Sequence, residues 1–177
     1  AGILSIDDDV IRPCLALETA FVKWTRNPDR QIGFDARSHS IMDDGKWGYA
    51  YMSTTEQTNK YSITLTRYSF LHRDYLRSYS ERMPSQIRET VAKNFNCEDI
   101  AISFWISSLT NARPPLLADL WAVKSQIKMY VDSKISGNDQ HKHLRDDCMN
   151  DFANVLNLKG RLHHSKLRHS DFFDYGF

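Results

Sequence analysis

Short aliphatic runs alternate along this chain with segments that repeat apolar residues every three or four positions. Residues 2–6, "GILSI", form a brief bounded aliphatic run and predict a buried strand. Pro13 suits the first turn of a helix, in which Leu17, Phe21 and Trp24 recur at helical spacing until Asn27-Pro28 stops it. "QIGF" (31–34) is strand-like, and "DDGKWGYAYM" (43–52) reads as a glycine turn entering a strand. "KYSITLT" (60–66) alternates and is β-branched, so it predicts another strand. A helix is expected from Phe70 to Tyr79, and Pro84 opens the next, with Ile87, Val91 and Phe95 on one face. A stronger helix is expected over 97–109, with Ile100, Phe104 and Leu109 inward. "NARPPLL" (111–117) breaks the pattern and leads into an extended piece, and "KISGNDQ" (134–140) is a polar loop. Residues 140–157 give the clearest amphipathic helix, with Leu144, Cys148, Phe152 and Val155 spaced by four, four and three. Residues 158–177 show no clean period and stay an unassigned tail.

Strands and helices interleave in the first hundred residues, which argues for an α/β sheet. The expectation is a single domain over residues 1–177, without internal repeats. If "GILSI" is central it needs neighbours on both sides, and this chain need not supply them all.

Composition narrows the picture little. The 177 residues are 41% hydrophobic and 25% charged, as in ordinary globular domains. A net charge of +1 gives no electrostatic argument for nucleic acid. No run of about 18 apolar residues exists to span a membrane. The chain opens in a strand without a start methionine, which reads as a segment of something longer.

The chemistry begins at Asp7, Asp8 and Asp9. They follow the first strand directly, where open α/β sheets gather ligands. In an extended segment Asp7 and Asp9 share a face and Asp8 points away. A hard divalent cation would offset the repulsion between them. The competing reading is a solvated acidic turn, with Asp9 near a helix N-terminus. Glu98 and Asp99 open a helix, where carboxylates are ordinary. Arg145 and Cys148, three apart, share a helix face. Were Cys97 bonded to Cys148, Asp99 and Arg145 would be drawn together, and an oxidising compartment implied. Cys14, on an apolar face, reads as a buried free thiol.

"LSIDDDV", "IGFDARSH", "NKYSITLT", "NCEDIAISF" and "LRDDC" occur in the order found in the exostosin-like C-terminal glycosyltransferase domain, which this chain resembles up to about residue 157. That family includes animal heparan-sulfate hexosaminyltransferases and plant enzymes that glycosylate inositol phosphorylceramide sphingolipids. "MPSQIRETVAKNFNCEDIA" and "DLWAVK" look closer to the plant branch. The resemblance implies a GT-A type, Rossmann-like fold and a retaining transferase using a nucleotide sugar with Mn²⁺, or Mg²⁺ in its place. It implies that Asp9 and Asp7 bind the metal and that Asp8 lies in the donor site. It places Asp99 and Arg145 as catalytic residues, the first toward the acceptor hydroxyl and the second toward the diphosphate. It sets Arg37, His39 and Tyr61 near the substrates and pairs Cys97 with Cys148. Family members also carry a nucleotide-binding portion before the acidic triplet, and the expectation is that this chain begins after it.

The resulting expectation is transfer of N-acetylhexosamine from a UDP-sugar to a glycan or glycolipid, with GDP-mannose-dependent mannosyl transfer as the alternative. The whole protein is expected in the Golgi lumen behind a membrane anchor outside this chain. A non-catalytic remnant and a phosphate-handling hydrolase are the readings from other classes. Bland rivals accompany each residue. Arg37 suits a structural ion pair, His39 a satisfied strand end, and Tyr61 sheet packing. His141, His143, His163 and His164 read as exposed helical or tail histidines rather than a metal cluster. Trp24, Trp47, Trp105 and Trp121 suit the core, though Trp47, beside Gly45 and Gly48, could face a ligand.

Overall fold

The computed structural model describes residues 1–8, 10–118 and 139–167. They form β1 (Gly2–Ile6), α1 (Cys14–Arg26), β2 (Ile32–Gly33), β3 (Ala36–Ile41), β4 (Trp47–Ala50) and α2 (Met52–Thr58). Next come β5 (Lys60–Tyr61), β6 (Ile63–Thr64), β7 (Tyr68–His72), α3 (Arg73–Arg82), α4 (Ser85–Asn94) and α5 (Glu98–Leu109). β8 (Leu116–Leu117), α6 (Asp139–Val155) and β9 (Ser165–Lys166) complete the described elements. The α/β reading holds as a mixed architecture with several small sheets.

One sheet runs β1-β7-β2-β8, a second β4-β3-β6, and a third pairs β5 with β9. β1 is at the edge of its sheet, not the centre, and pairs antiparallel with β7, Gly2 opposite His72 and Ile6 opposite Tyr68. Only β2 and β8 run parallel among the described pairs.

Pro13 sits just before α1 with φ −60°, its ring already fitted to a helical start. The helix buries Ala16, Ala20 and Trp24, spaced by four, rather than Leu17 and Phe21. Two alanines let the helix lie close on the sheet, and Trp24 then covers Gly2, where a Cβ would meet its ring at 2.7 Å. Phe21 rides the rim against Trp24 and Phe70, half exposed. This rotation also leaves Cys14 exposed, correcting its reading as a buried thiol.

"KYSITLT" is broken at Ser62 into β5 and β6, and the helix expected from Phe70 begins only at Arg73. Residues 68–71 are buried in β7, between β1 and β2, and two ladders of strand hydrogen bonds outweigh the local helical pattern. Phe95 closes α4 with φ 50° and stands 99% exposed, so it does not continue the Ile87–Val91 face. Leu109 is also exposed at the end of α5.

α5 is the hub of the main core. Asp99 and every residue from Ile100 to Ser107 are buried, as a helix with apolar or small residues on every face over that stretch requires. It packs with α6, whose inward stripe is Arg145, Cys148, Met149, Phe152 and Ala153. Leu144 and Val155, expected inward, are only partly buried. α6 also seals the edge strand β4. Asp146 Oδ1 accepts the Tyr49 N–H at 2.6 Å, and Asn150 accepts the Trp47 N–H at 2.9 Å while donating to the Trp47 carbonyl at 2.7 Å. Of the polar loop over 134–140, residues 139 and 140 begin α6, and 134–138 lie outside the described residues, as does the tail beyond 167.

Candidate functional site

The N-terminus of α5 meets the middle of α6 at a covalent link. Cys97 and Cys148 are disulfide-bonded with their Cα atoms 6.4 Å apart. Cys97 precedes α5 with φ 74°, so the chain turns sharply into the helix at the bridge.

Two residues beyond one cysteine and three before the other, Asp99 and Arg145 form a buried ion pair. Arg145 Nη1 donates to Asp99 Oδ2 at 2.9 Å and to Oδ1 at 3.1 Å. Burial alone would push the arginine down, but Asp99, with Tyr49 and Glu98, outweighs it and raises its affinity for its proton. Asp99 Oδ1 also accepts the Ile100 N–H at 2.7 Å, which locks the carboxylate to the first turn of α5.

Tyr49, on β4, covers the pair. Its ring lies 4.8 Å from the Arg145 guanidinium carbon, and it meets Tyr51 edge-on at 5.0 Å. Burial and the charge of Asp99 push its hydroxyl up to about 12, against Arg37 and Arg145. That places Arg37 of β3 beside the Tyr49 hydroxyl, and its Nη1 also donates to the Ala36 carbonyl at 2.8 Å.

His141 stands one turn before Arg145 on α6. Its imidazole is pushed down by burial and by Arg145, with Asp99 opposing, and its Nδ1 is buried without a hydrogen-bond partner. It is therefore half-buried beside the ion pair, not a fully exposed helical histidine. The spacing of four to Arg145 was the available signal. Tyr49 had only its alternation along "WGYAY" to mark it.

Asp7 joins the same neighbourhood from β1. Glu98 is raised by partial withdrawal from water, and the charges of Asp99 and Asp7 push it further up. The Asp7 N–H donates to the Arg67 carbonyl at 2.8 Å, which continues the β1–β7 pairing to the acidic run. Asp8 is exposed, and Asp9 lies outside the described residues. Among the described residues no three His, Cys, Asp or Glu side chains converge on a metal position. The donor chemistry nonetheless fits a hard cation. Asp7 and Asp8 offer exposed carboxylate oxygens, and the crowding of Asp7, Glu98 and Asp99 is the kind of repulsion such an ion relieves.

His39 and Tyr61 occupy different surroundings. The His39 ring is stacked at 4.0 Å on Trp47 and at 4.0 Å on His164, its Nδ1 is 2.8 Å from Ser62 Oγ, and burial followed by His164 lowers it to about 3. His164 Nε2 donates to the His39 carbonyl at 2.8 Å. Trp47 is thereby a core residue, packed also against Phe104. Tyr61 is buried with Ala36, Leu117 and Leu167, and its hydroxyl accepts the Leu117 N–H at 3.2 Å.

The model of the glycosyl transferase family 64 domain matches residues 1–173. The chain belongs to this family. Among its family 64 relatives, glycosylinositol phosphorylceramide mannosyl transferase 1 of Arabidopsis thaliana is 38% identical over 156 residues, 86% of this chain and 45% of that protein. Exostosin-1c of Danio rerio is 34% identical over 171 residues, 94% of this chain and 22% of its own length. The exostosin-like-3 homolog of Caenorhabditis elegans is 32% identical over 154 residues, 87% of this chain and 18% of its own. The chain spans less than half the length of these relatives. The exostosin-like reading of the motifs thus agrees with family 64 membership over nearly the whole chain.

Proposed function

We propose that this family 64 chain carries the catalytic portion of a retaining glycosyltransferase of GT-A type, which moves a sugar from a nucleotide donor to a hydroxyl of a glycan or glycolipid. The observation that carries this reading is the Asp99–Arg145 pair, buried beside Tyr49 and His141 and next to Glu98, on which the charge of Asp7 acts. A carboxylate clamped by a guanidinium and a helix N-terminus is held in one orientation, as positioning of an acceptor hydroxyl requires. Arg145 Nε is buried without a hydrogen-bond partner, so the guanidinium would act on a donor diphosphate through its charge. Tyr49 shields the pair from water, which strengthens every charge interaction there.

Asp7, Asp8 and Asp9 would hold Mn²⁺, or Mg²⁺, which supplies charge stabilisation to a departing diphosphate. Arg37 reaches the site through Tyr49, whereas His39 and Tyr61 serve by fixing the strands around it. The disulfide supports a luminal, oxidising location for the whole protein, and the Golgi lumen is the compartment we assign. No helix among the described residues is long and apolar enough to cross a membrane.

UDP-N-acetylhexosamine is the first donor to test. The 38% identical plant relative, named for mannosyl transfer, favours GDP-mannose as the second. The decisive assay follows Mn²⁺-dependent release of UDP or GDP by the full-length protein, alongside Asp9→Ala and Asp99→Ala. Both substitutions should abolish turnover, and unchanged rates in both would remove these residues from the mechanism.

A further inference from the structure

Asp35, between β2 and β3, lies between two arginines. Its Oδ2 accepts from Arg12 Nη2 at 2.9 Å and from Arg67 Nε at 3.0 Å, and its Oδ1 accepts from Arg67 Nη2 at 3.3 Å. The Arg12 side chain is 0% exposed, Asp35 8% and Arg67 18%. The Arg12 guanidinium rests over Phe34 at 5.1 Å and Tyr68 at 5.8 Å, and its Nε and Nη1 have no hydrogen-bond partner among the described residues. Burying a cation so incompletely paired is costly, and an apolar side chain would fill the slot between those rings more cheaply. Packing therefore does not explain Arg12.

Connectivity does. The carbonyl of Arg67 accepts the N–H of Asp7 at 2.8 Å, and Arg12 ends the segment that Asp7 begins. Within it the Val10 N–H returns to the Asp7 carbonyl at 3.3 Å. Residues 7–12 are thus tied at both ends to one carboxylate, at the first residue through the backbone of Arg67 and at the last through the side chain of Arg12. Asp7 and Asp8 both fall inside the tied segment.

We propose that Asp35 is a positioning residue that holds the acidic run in its working shape through Arg12 and Arg67. The proposal rests on the reading of that run as the cation site. Groups that orient metal ligands from behind are typically worth about 10–100-fold in metal affinity.

The test uses the chain with Asp35→Asn, Arg12→Met and Asp35→Glu. Hydrogen exchange of the 7–12 amides and Mn²⁺ affinity by electron paramagnetic resonance are both measured. Asp35→Asn should speed exchange over 7–12 while α5 and α6 stay protected, and should weaken Mn²⁺ binding roughly 10–100-fold. Arg12→Met, whose side chain fits between Phe34 and Tyr68, decides the matter where Asp35→Asn fails to fold, and should act in the same direction. Asp35→Glu should restore part of both signals. Unchanged exchange over 7–12 in a folded Arg12→Met or Asp35→Asn protein overturns the proposal. Faster exchange over 7–12 with Mn²⁺ affinity unaltered separates the tether from the cation site and also overturns the proposal, whereas faster exchange together with no Mn²⁺ binding by the unsubstituted chain upholds the tether and rejects the cation reading.

Discussion

Arg145 of α6 grips Asp99 of α5 across 46 positions of sequence, with Nη1 within 3.1 Å of both carboxylate oxygens. Neither residue can leave alone without stranding the other. Arg145→Ala leaves the buried Asp99 carboxylate without its countercharge, so the loss should be about 3–5 kcal/mol in urea unfolding. Asp99→Asn/Arg145→Met should lose much less than the two single changes summed, because no lone charge remains. Turnover should vanish in all of these variants. A double variant as unstable as that sum would mean that the two residues contribute independently.

The Cys97–Cys148 bridge closes a loop with a sequence separation of 51. Chain-entropy reasoning assigns such a loop about 4 kcal/mol. Reduction, or Cys97→Ser/Cys148→Ser, should therefore lower stability by about that amount and loosen the Asp99–Arg145 pair between the two helices. Alkylation in denaturant without reductant should modify Cys14 alone, and all three cysteines after reduction. Three adducts before reduction would rule the bridge out.

His39 sets a pH limit. Its imidazole falls from 6.5 to about 3 through burial, with His164 adding to the shift, while Trp47 and Ser62 take up the rest of its surroundings. The unfolded chain binds this proton below pH 6.5 and the folded chain does not. Stability is thus complete above about 6.5 and drains away as pH falls toward 3, by on the order of 3–5 kcal/mol over the window. His39→Gln should flatten that slope in denaturation curves taken between pH 7 and pH 4. An unchanged slope would show that some other group titrates.

Much of this was legible in the residues, and the remainder was hidden for physical reasons. The family resemblance implied the Cys97–Cys148 pairing that would draw "NCEDI" and "LRDDC" together, and the ion pair and bridge lie where those motifs meet. Strand order was not legible. β1 pairs with β7, some 65 residues on, and short strands carry no local mark of their partner. Residues 70–72 looked helical because Phe70 precedes a true helix at compatible spacing, and only the β1 and β2 ladders decide otherwise. Phe95 looked like core, but the left-handed turn at its own position faces it outward. Arg12 and Asp35 drew no notice because charged residues read as surface until burial is known.

Asp146 is the remaining test of how the site is framed. β4 lies at a sheet edge, and the Tyr49 N–H would be unpaired there but for Asp146 Oδ1 at 2.6 Å. Asp146→Asn keeps a carbonyl oxygen at that place and should change stability by well under 1 kcal/mol, losing only the contact from Lys142. Asp146→Leu strands a half-buried N–H and should cost about 1–3 kcal/mol. Because Tyr49 covers Arg145, a displaced β4 should also admit water to the ion pair and lower turnover, while Asp146→Asn leaves it near normal. Chemical denaturation and nucleotide release measured on both variants separate these outcomes. Equal behaviour of the two would mean that the strand edge is held by Asn150 and the β3 ladder alone.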